Sequence, residues 1–190
     1  MIISFCVLFC LNLILVGIKK QNKMVVILSY ILLIILMAGN TEGPDVGTYR
    51  YYYRQASAGV LVSGDFGYYL IERLCGQYLH MSFYLFRLIL SIICIALIDS
   101  AFQYWDGNKH LGIALYMGYP FFMDVIQIRN FVAISIVIYS LRYLISKDRM
   151  DIFKYIMLVL IASSVHIISM IFLFFLIYKL ISVQMKLTSL

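Results

Sequence analysis

MIISFCVLFCLNLILVGI, residues 1–18, contains no charged side chain, and its apolar residues show no strand-like alternation. Wound as a helix at about 1.5 Å per residue, the stretch covers most of a hydrocarbon core about 30 Å thick. A membrane barrel would need alternating strands of about 10 residues instead. No basic segment precedes the run, and no small-residue cleavage pattern stands near Gly17. The stretch therefore reads as a retained helical span and not as a cleaved leader.

The same character extends through the chain, which is 64% hydrophobic and 13% charged, with a mean hydropathy of +0.96. Soluble domains carry roughly 45–50% apolar residues, so no water-soluble core could hide this content. The sequence predicts an all-α fold: a polytopic transmembrane helix bundle of about six spans in one integral membrane domain, 1–190. The spans are expected at about 1–18, 24–39, 79–98, 110–125, 127–146 and 152–178, with a partly helical extracytoplasmic loop over 40–78. Gly112, Gly118 and Pro120 interrupt the fourth, which reads as a broken or re-entrant helix. Lys19, Lys20 and Lys23, together with Arg142, Lys147, Arg149 and Lys154, put the loops after spans one and five in the cytoplasm. The 40–78 loop and the junction holding Asp124 and Arg129 then face outward, whereas Lys179 and Lys186 fall on the wrong side of six spans.

The net charge of +6 sits in short clusters at span ends, which argues for membrane topology and against nucleic acid. Cys6, Cys10, Cys75 and Cys94 form neither a paired framework nor a metal-ligand spacing, so no metal is expected. Phosphate-loop and GxSxG motifs are absent, and no cofactor is called for.

Three polar constellations interrupt the apolar background. In GPDVGTYRYYY, 43–53, Asp45, Tyr49 and Tyr53 recur every four residues and would share a helix face. Asp45 there suits either a general base or a helix cap, and the tyrosines either a sugar platform or an interfacial belt. In QIRNFVA, 127–133, Arg129 offers a permanent, planar cation suited to a phosphate or pyrophosphate, with Gln127 and Asn130 beside it. A structural pair with Asp124 is the alternative. In SSVHIIS, 163–169, Ser163, His166 and Ser169 would form a polar stripe near the middle of the sixth span, either as a proton acceptor or as helix-joining contacts. Arg87 in span three reads as a snorkelling residue or part of an anion site.

The order of these features resembles the EpsG family of exopolysaccharide and capsule biosynthesis proteins, related in role to O-antigen polymerases. The resemblance rests on Asp45, Tyr49 and Tyr53, then Asp65 before an aromatic pair in GDFGYYLIERL at 64–74, then Arg129 opening QIRNFVA, then His166 in SSVHIIS. It implies a glycosyltransferase-type polymerase of the bacterial cytoplasmic membrane, active on the extracytoplasmic face. Its expected partners are an undecaprenyl-pyrophosphate-linked oligosaccharide, the lipid bilayer and other polysaccharide-assembly proteins. Arg129 would neutralise the pyrophosphate, Asp45 or His166 would act as base, and Tyr49, Tyr53, Asp65, Gln127 and Asn130 would bind substrate. Asp65 stands where the family more often has Glu, and Asn130 where Gln commonly follows the arginine. Family members usually carry further spans beyond the histidine helix, so the resemblance also implies a truncated or split reading frame. A lipid-linked sugar flippase and a truncated, non-catalytic assembly subunit are the alternative readings.

Overall fold

The computed structural model describes residues 2–62, 64–105, 108–145, 149–177 and 179, and all regular structure among them is helical. Helix α1 spans Ile2–Gly17 and α2 spans Lys23–Gly39. The following insertion contains α3, Val46–Ser57, and α4, Phe66–Arg73, which continues into a π-helical turn at Leu74–Tyr78. Then come α5, Phe83–Trp105; α6, Lys109–Gly118; α7, Pro120–Ile126; α8, Ile128–Ile145; and α9, Arg149–Val165. A 3₁₀ segment, Ile167–Leu173, follows His166.

Helix α5 is the central post, packed between α2 and α8, and its Phe86 and Ile98 are fully buried alongside Leu33 and Phe131. Its stretch Phe83–Tyr104, of mean hydropathy 2.2, is long and apolar enough to cross a membrane; Ile2–Gly17, Lys23–Gly39 and Ile167–Ile177 are shorter apolar helices. On α2, Ile27, Ile31 and Ile35 recur every four residues and stand about half exposed, at 52%, 48% and 52%. A stripe of that kind is poorly placed in water and well placed in hydrocarbon.

Polar side chains inside the bundle are used to fasten helices. Buried Asn12 of α1 donates to Ser29 Oγ of α2 at 2.9 Å, and its Oδ1 lies 2.7 Å from His110 Nδ1 of α6. The backbone N–H of Asn22 donates to His110 Nε2 at 3.0 Å, which makes that nitrogen an acceptor and puts the ring proton on Nδ1. Asn22 also caps α2, its Oδ1 accepting from the Met24 and Val25 amides.

The interruption at Gly118 and Pro120 breaks the stretch into two consecutive helices, α6 and α7. His110 meets Asn22 at the start of α2, while the Val125 carbonyl accepts from Asn40 Nδ2 at its far end, so the broken pair runs the length of α2. Arg87 does not reach the surface of the bundle. It is buried and donates to the carbonyls of Met37 and Asn40, completing the C-terminal end of α2 where free carbonyls collect.

The last apolar stretch departs most from the sequence reading, because 152–178 is not one helix. At His166 the backbone becomes extended, with φ −153° and ψ 111°, and the chain reverses. Tyr155 Oη, on α9, donates to the Phe172 carbonyl at 2.6 Å. In a continuous helix those residues would stand about 25 Å apart. Lys179 Nζ donates to the Leu144 carbonyl at the end of α8, so the returning segment comes back to the end of the bundle where α8 finishes. The polar stripe through Ser163, His166 and Ser169 therefore does not form a helix face; His166 lies at the tip of a hairpin. Lys179 thus lies at the same end of the bundle as the end of α8, which carries Arg142. Lys147 and Lys186 lie outside the described residues.

Candidate functional site

The α3–α4 insertion forms one wall of a polar cluster. Along α3 the buried positions are Val46, Tyr49, Tyr53 and Ala56, a helical recurrence that sets one tyrosine-bearing face inward. Along α4 and into the π turn the apolar Phe66, Leu70 and Leu74 face out, at 56%, 46% and 55% exposed, while Tyr68, Tyr69 and Glu72 are buried. Gly67 lets this helix approach the end of α9: a Cβ there would meet Ser164 Oγ and come within 2.7 and 2.8 Å of the Ser164 carbonyl carbon and oxygen. The contact fixes Asp65, two residues earlier, beside the hairpin tip.

Arg129 enters from the first turn of α8. Its Nη1 donates to Asp65 Oδ2 at 2.6 Å, and its guanidinium carbon lies 5.5 Å from the Tyr49 ring centre and 6.0 Å from that of Tyr52. His166 Nδ1 stands 3.7 Å from the same Asp65 oxygen, too far for a hydrogen bond, and has no partner among the described residues. The side chains of Arg129, Asp65 and His166 are 26%, 14% and 18% exposed, so the cluster is sheltered yet can be reached. A cation flanked by aromatic faces and one carboxylate, with an imidazole beside it, can hold an oxyanion and accept a proton.

The structure thus brings Tyr49, Asp65, Arg129 and His166 together from three distant stretches of sequence. Asp45 stands at the start of α3: its carbonyl accepts from the Tyr49 amide at 3.0 Å, its side chain makes no capping bond, and its charge is felt by the Tyr49 phenol. Tyr53 is held inside the fold. It is 4% exposed, stacks on Phe86 with ring centres 4.8 Å apart, and donates to the Met81 carbonyl. Asn130 is engaged by Asp124, its Nδ2 donating to Oδ1 at 2.9 Å while Tyr116 Oη donates to Oδ2 at 2.9 Å. Asp124 accordingly belongs to a buried polar triad, and the carboxylate facing Arg129 is Asp65. Gln127 is the half-buried link between α7 and α8; its backbone accepts from Phe131 and donates to Met123.

Two contributors escaped the sequence reading. Tyr52 adds a second ring to Arg129. Glu72, 1% exposed, is the buried carboxyl of the insertion, and its Oε1 has no hydrogen-bond partner among the described residues. Burial pushes Glu72 up to about 8, with the Arg129 charge pulling the other way. Burial also raises Tyr68 well above a normal phenol and Tyr53 to about 12. Tyr49 is raised as well, burial outweighing the hydrogen bond and charge of Arg129. The spacing of Asp65, Tyr68, Tyr69 and Glu72 along a helix opposite Phe66, Leu70 and Leu74 was the available signal.

An apolar pocket of about 330 Å³ lies apart from the cluster, lined by Phe102, Leu111, Leu115, Tyr116, Pro120 and Ile138. Tyr116 connects the two regions, since its partner Asp124 is also bound by Asn130, the neighbour of Arg129.

Fold and cluster together define an all-helical protein with an ionic site clamped between a helical insertion and the start of a bundle helix. The model of the EpsG family matches residues 23–190, and the chain belongs to that family, which places it in polysaccharide biosynthesis. No curated protein and no solved structure matches it.

Proposed function

We propose that the chain polymerises lipid-linked oligosaccharide repeat units at the outer face of the bacterial cytoplasmic membrane. In this reading α1, α2, α5, the α6–α7 pair, α8 and α9 cross the bilayer, the segment after His166 returns through it, and the insertion lies outside. The α4 stripe of Phe66, Leu70 and Leu74 then rests against the outer leaflet. The acceptor sugar hydroxyl attacks the anomeric carbon of the donor chain, the bond from that carbon to the pyrophosphate oxygen breaks, and undecaprenyl pyrophosphate leaves. Arg129 balances the charge growing on the leaving group, and His166, whose side chain is partly exposed beside Asp65, takes the hydroxyl proton. Tyr49 and Tyr52 hold the guanidinium, and the half-buried Tyr52 is the ring of the two that can offer a face to a pyranose. The apolar pocket beside Tyr116 suits part of the isoprenoid tail.

The observation that carries the reading is the convergence of Asp65, Arg129 and His166 in a partly open cluster. Its test is chain growth from lipid-linked repeat units by purified protein in liposomes, followed on gels. Longer products should form and should vanish in Arg129→Ala, while Arg129→Lys should retain a small fraction because lysine lacks the planar fork. Transbilayer movement of the lipid without chain growth would overturn the polymerase in favour of a flippase.

A further inference from the structure

Glu72 is the buried group that this mechanism does not use. It is 1% exposed, and among the described residues its Oε1 has no hydrogen-bond partner and no cation lies within ion-pair distance of it. One turn earlier, the fully buried Tyr68 hydroxyl is also without a partner. An ionised carboxylate left bare in such a place costs several kcal/mol, and taking up a proton avoids that cost. Burial accordingly carries its titration to about 8.

The neighbouring charges give this protonation a consequence. Arg129 is already matched by Asp65 at 2.6 Å, so the cluster is close to neutral when Glu72 carries its proton. Ionising Glu72 would add a second negative charge in the field of the same guanidinium and leave the cluster net negative. An incoming pyrophosphate would then meet repulsion.

Building on the proposed function, we propose that Glu72 is a positioning residue that works as a neutral carboxylic acid, filling the inner face of α4 without drawing Arg129 away from a pyrophosphate ligand. The other titratable or charged groups around it are Tyr49 and Tyr53 of α3, Tyr68 of its own helix, Cys75 of the π turn, His166 at the end of α9, Asp65 with Arg129, and Arg87 of α5, a cation fixed across this pH range that acts on Tyr68. The phenols of Tyr49, Tyr53 and Tyr68 and the Cys75 thiol are all pushed upward by burial and stay neutral at mild pH. Comparison with Glu72→Gln isolates the one remaining carboxyl, since every other group titrates in both proteins.

The experiment measures binding of undecaprenyl pyrophosphate to the full chain in nanodiscs between pH 7 and pH 9, with the infrared carbonyl band of protonated carboxyl groups recorded over the same range. Binding by the wild-type chain should weaken about tenfold from pH 7 to pH 9, as expected for a single group of pKa about 8 whose ionised form excludes the ligand. Glu72→Gln should bind at pH 7 within about twofold of wild type and show no such loss, because the amide copies the neutral acid in shape. A carbonyl band that titrates near pH 8 should disappear in Glu72→Gln, a readout independent of any ligand. The inference is overturned if Glu72→Gln keeps the alkaline loss, if it binds tenfold more weakly at pH 7, or if the band is missing from the wild-type chain. Wild-type protein that never binds the lipid, yet shows the titrating band, overturns the polymerase reading and the positioning role together. Should Glu72→Gln fold poorly, Glu72→Met supplies a second uncharged variant of similar volume, and an alkaline loss that persists there also overturns the inference.

Discussion

Replacing Gly67 by alanine should loosen the candidate site from a distance, because Gly67 touches no substrate and only lets α4 approach α9. The added methyl would lie 2.7 Å from the Ser164 carbonyl carbon and 2.8 Å from its oxygen, where ordinary contact begins at 3.4 Å. Main chain cannot rotate away as a side chain can, so α4 must retreat by roughly 0.7 Å and take Asp65 with it. The Asp65–Arg129 contact, now 2.6 Å, would open past the range of a strong charge-assisted bond. Overpacking of this kind costs about 1–3 kcal/mol, or roughly 3–9 °C in melting temperature for a chain of this size. A shift near 1 Å at a reacting centre costs up to about 100-fold in rate. The assay is chain growth in liposomes alongside thermal melting in detergent, with Gly47→Ala as control because nothing lies within 4 Å of a Cβ there. Gly67→Ala should lose at least tenfold in rate while Gly47→Ala stays within twofold. Adding Ser164→Gly to Gly67→Ala removes the hydroxyl but not the carbonyl, so it should restore little. A Gly67→Ala protein that melts and polymerises like wild type would refute the α4–α9 contact as the element that sets the site.

Three more outcomes follow from the same geometry. The folded state holds the Glu72 proton up to about 8, against 4.5 for a free carboxyl, so unfolding releases a proton between those values. Stability should therefore fall as pH rises through that window, by at most about 1.4 kcal/mol per unit from this group. Melting curves of Glu72→Gln against wild type should diverge with rising pH, and parallel curves would contradict the buried acid. Asn130→Ala should cost about 1–3 kcal/mol by stripping Asp124 of a buried donor, yet leave activity per folded molecule within about twofold; a large activity loss at unchanged stability would return Asn130 to the substrate. With the four native cysteines replaced by alanine, Lys179→Cys and Lys154→Cys should react with an impermeant thiol reagent from one side of sealed vesicles and Glu42→Cys from the other. Labelling of Lys179→Cys together with Glu42→Cys would exclude the hairpin at His166.

The helices were legible because long apolar runs leave the backbone no other way to satisfy itself, and Pro120 marked its own break. Arg129 could be picked out because a permanent cation in an apolar setting is expensive, and His166 because it interrupts a run of Ile, Leu and Ser. Their partners could not be read in the same way. Pairing Arg129 with Asp65 instead of Asp124 depends on how the insertion folds down over the bundle, and 64 positions separate the two residues. The reversal at His166 had only an indirect trace, the misplaced charge of Lys179, since an extended histidine between two apolar stretches looks like one uninterrupted helix. Tyr53 shares the helical period of Tyr49, and only the packing of Phe86 beneath it separates an anchoring ring from one at the site.

Buried Arg87 has an effect on evolvability. By binding the last carbonyls of α2 from the second turn of α5, it acts as a clasp at the neck of the insertion. A segment joined at the neck can be lengthened, shortened or exchanged without disturbing the post that carries it, because the cost of closing a loop grows only slowly with its length. Residues 41–82 form such a cassette, and related chains could vary it to suit different sugars while the helices beneath keep one design.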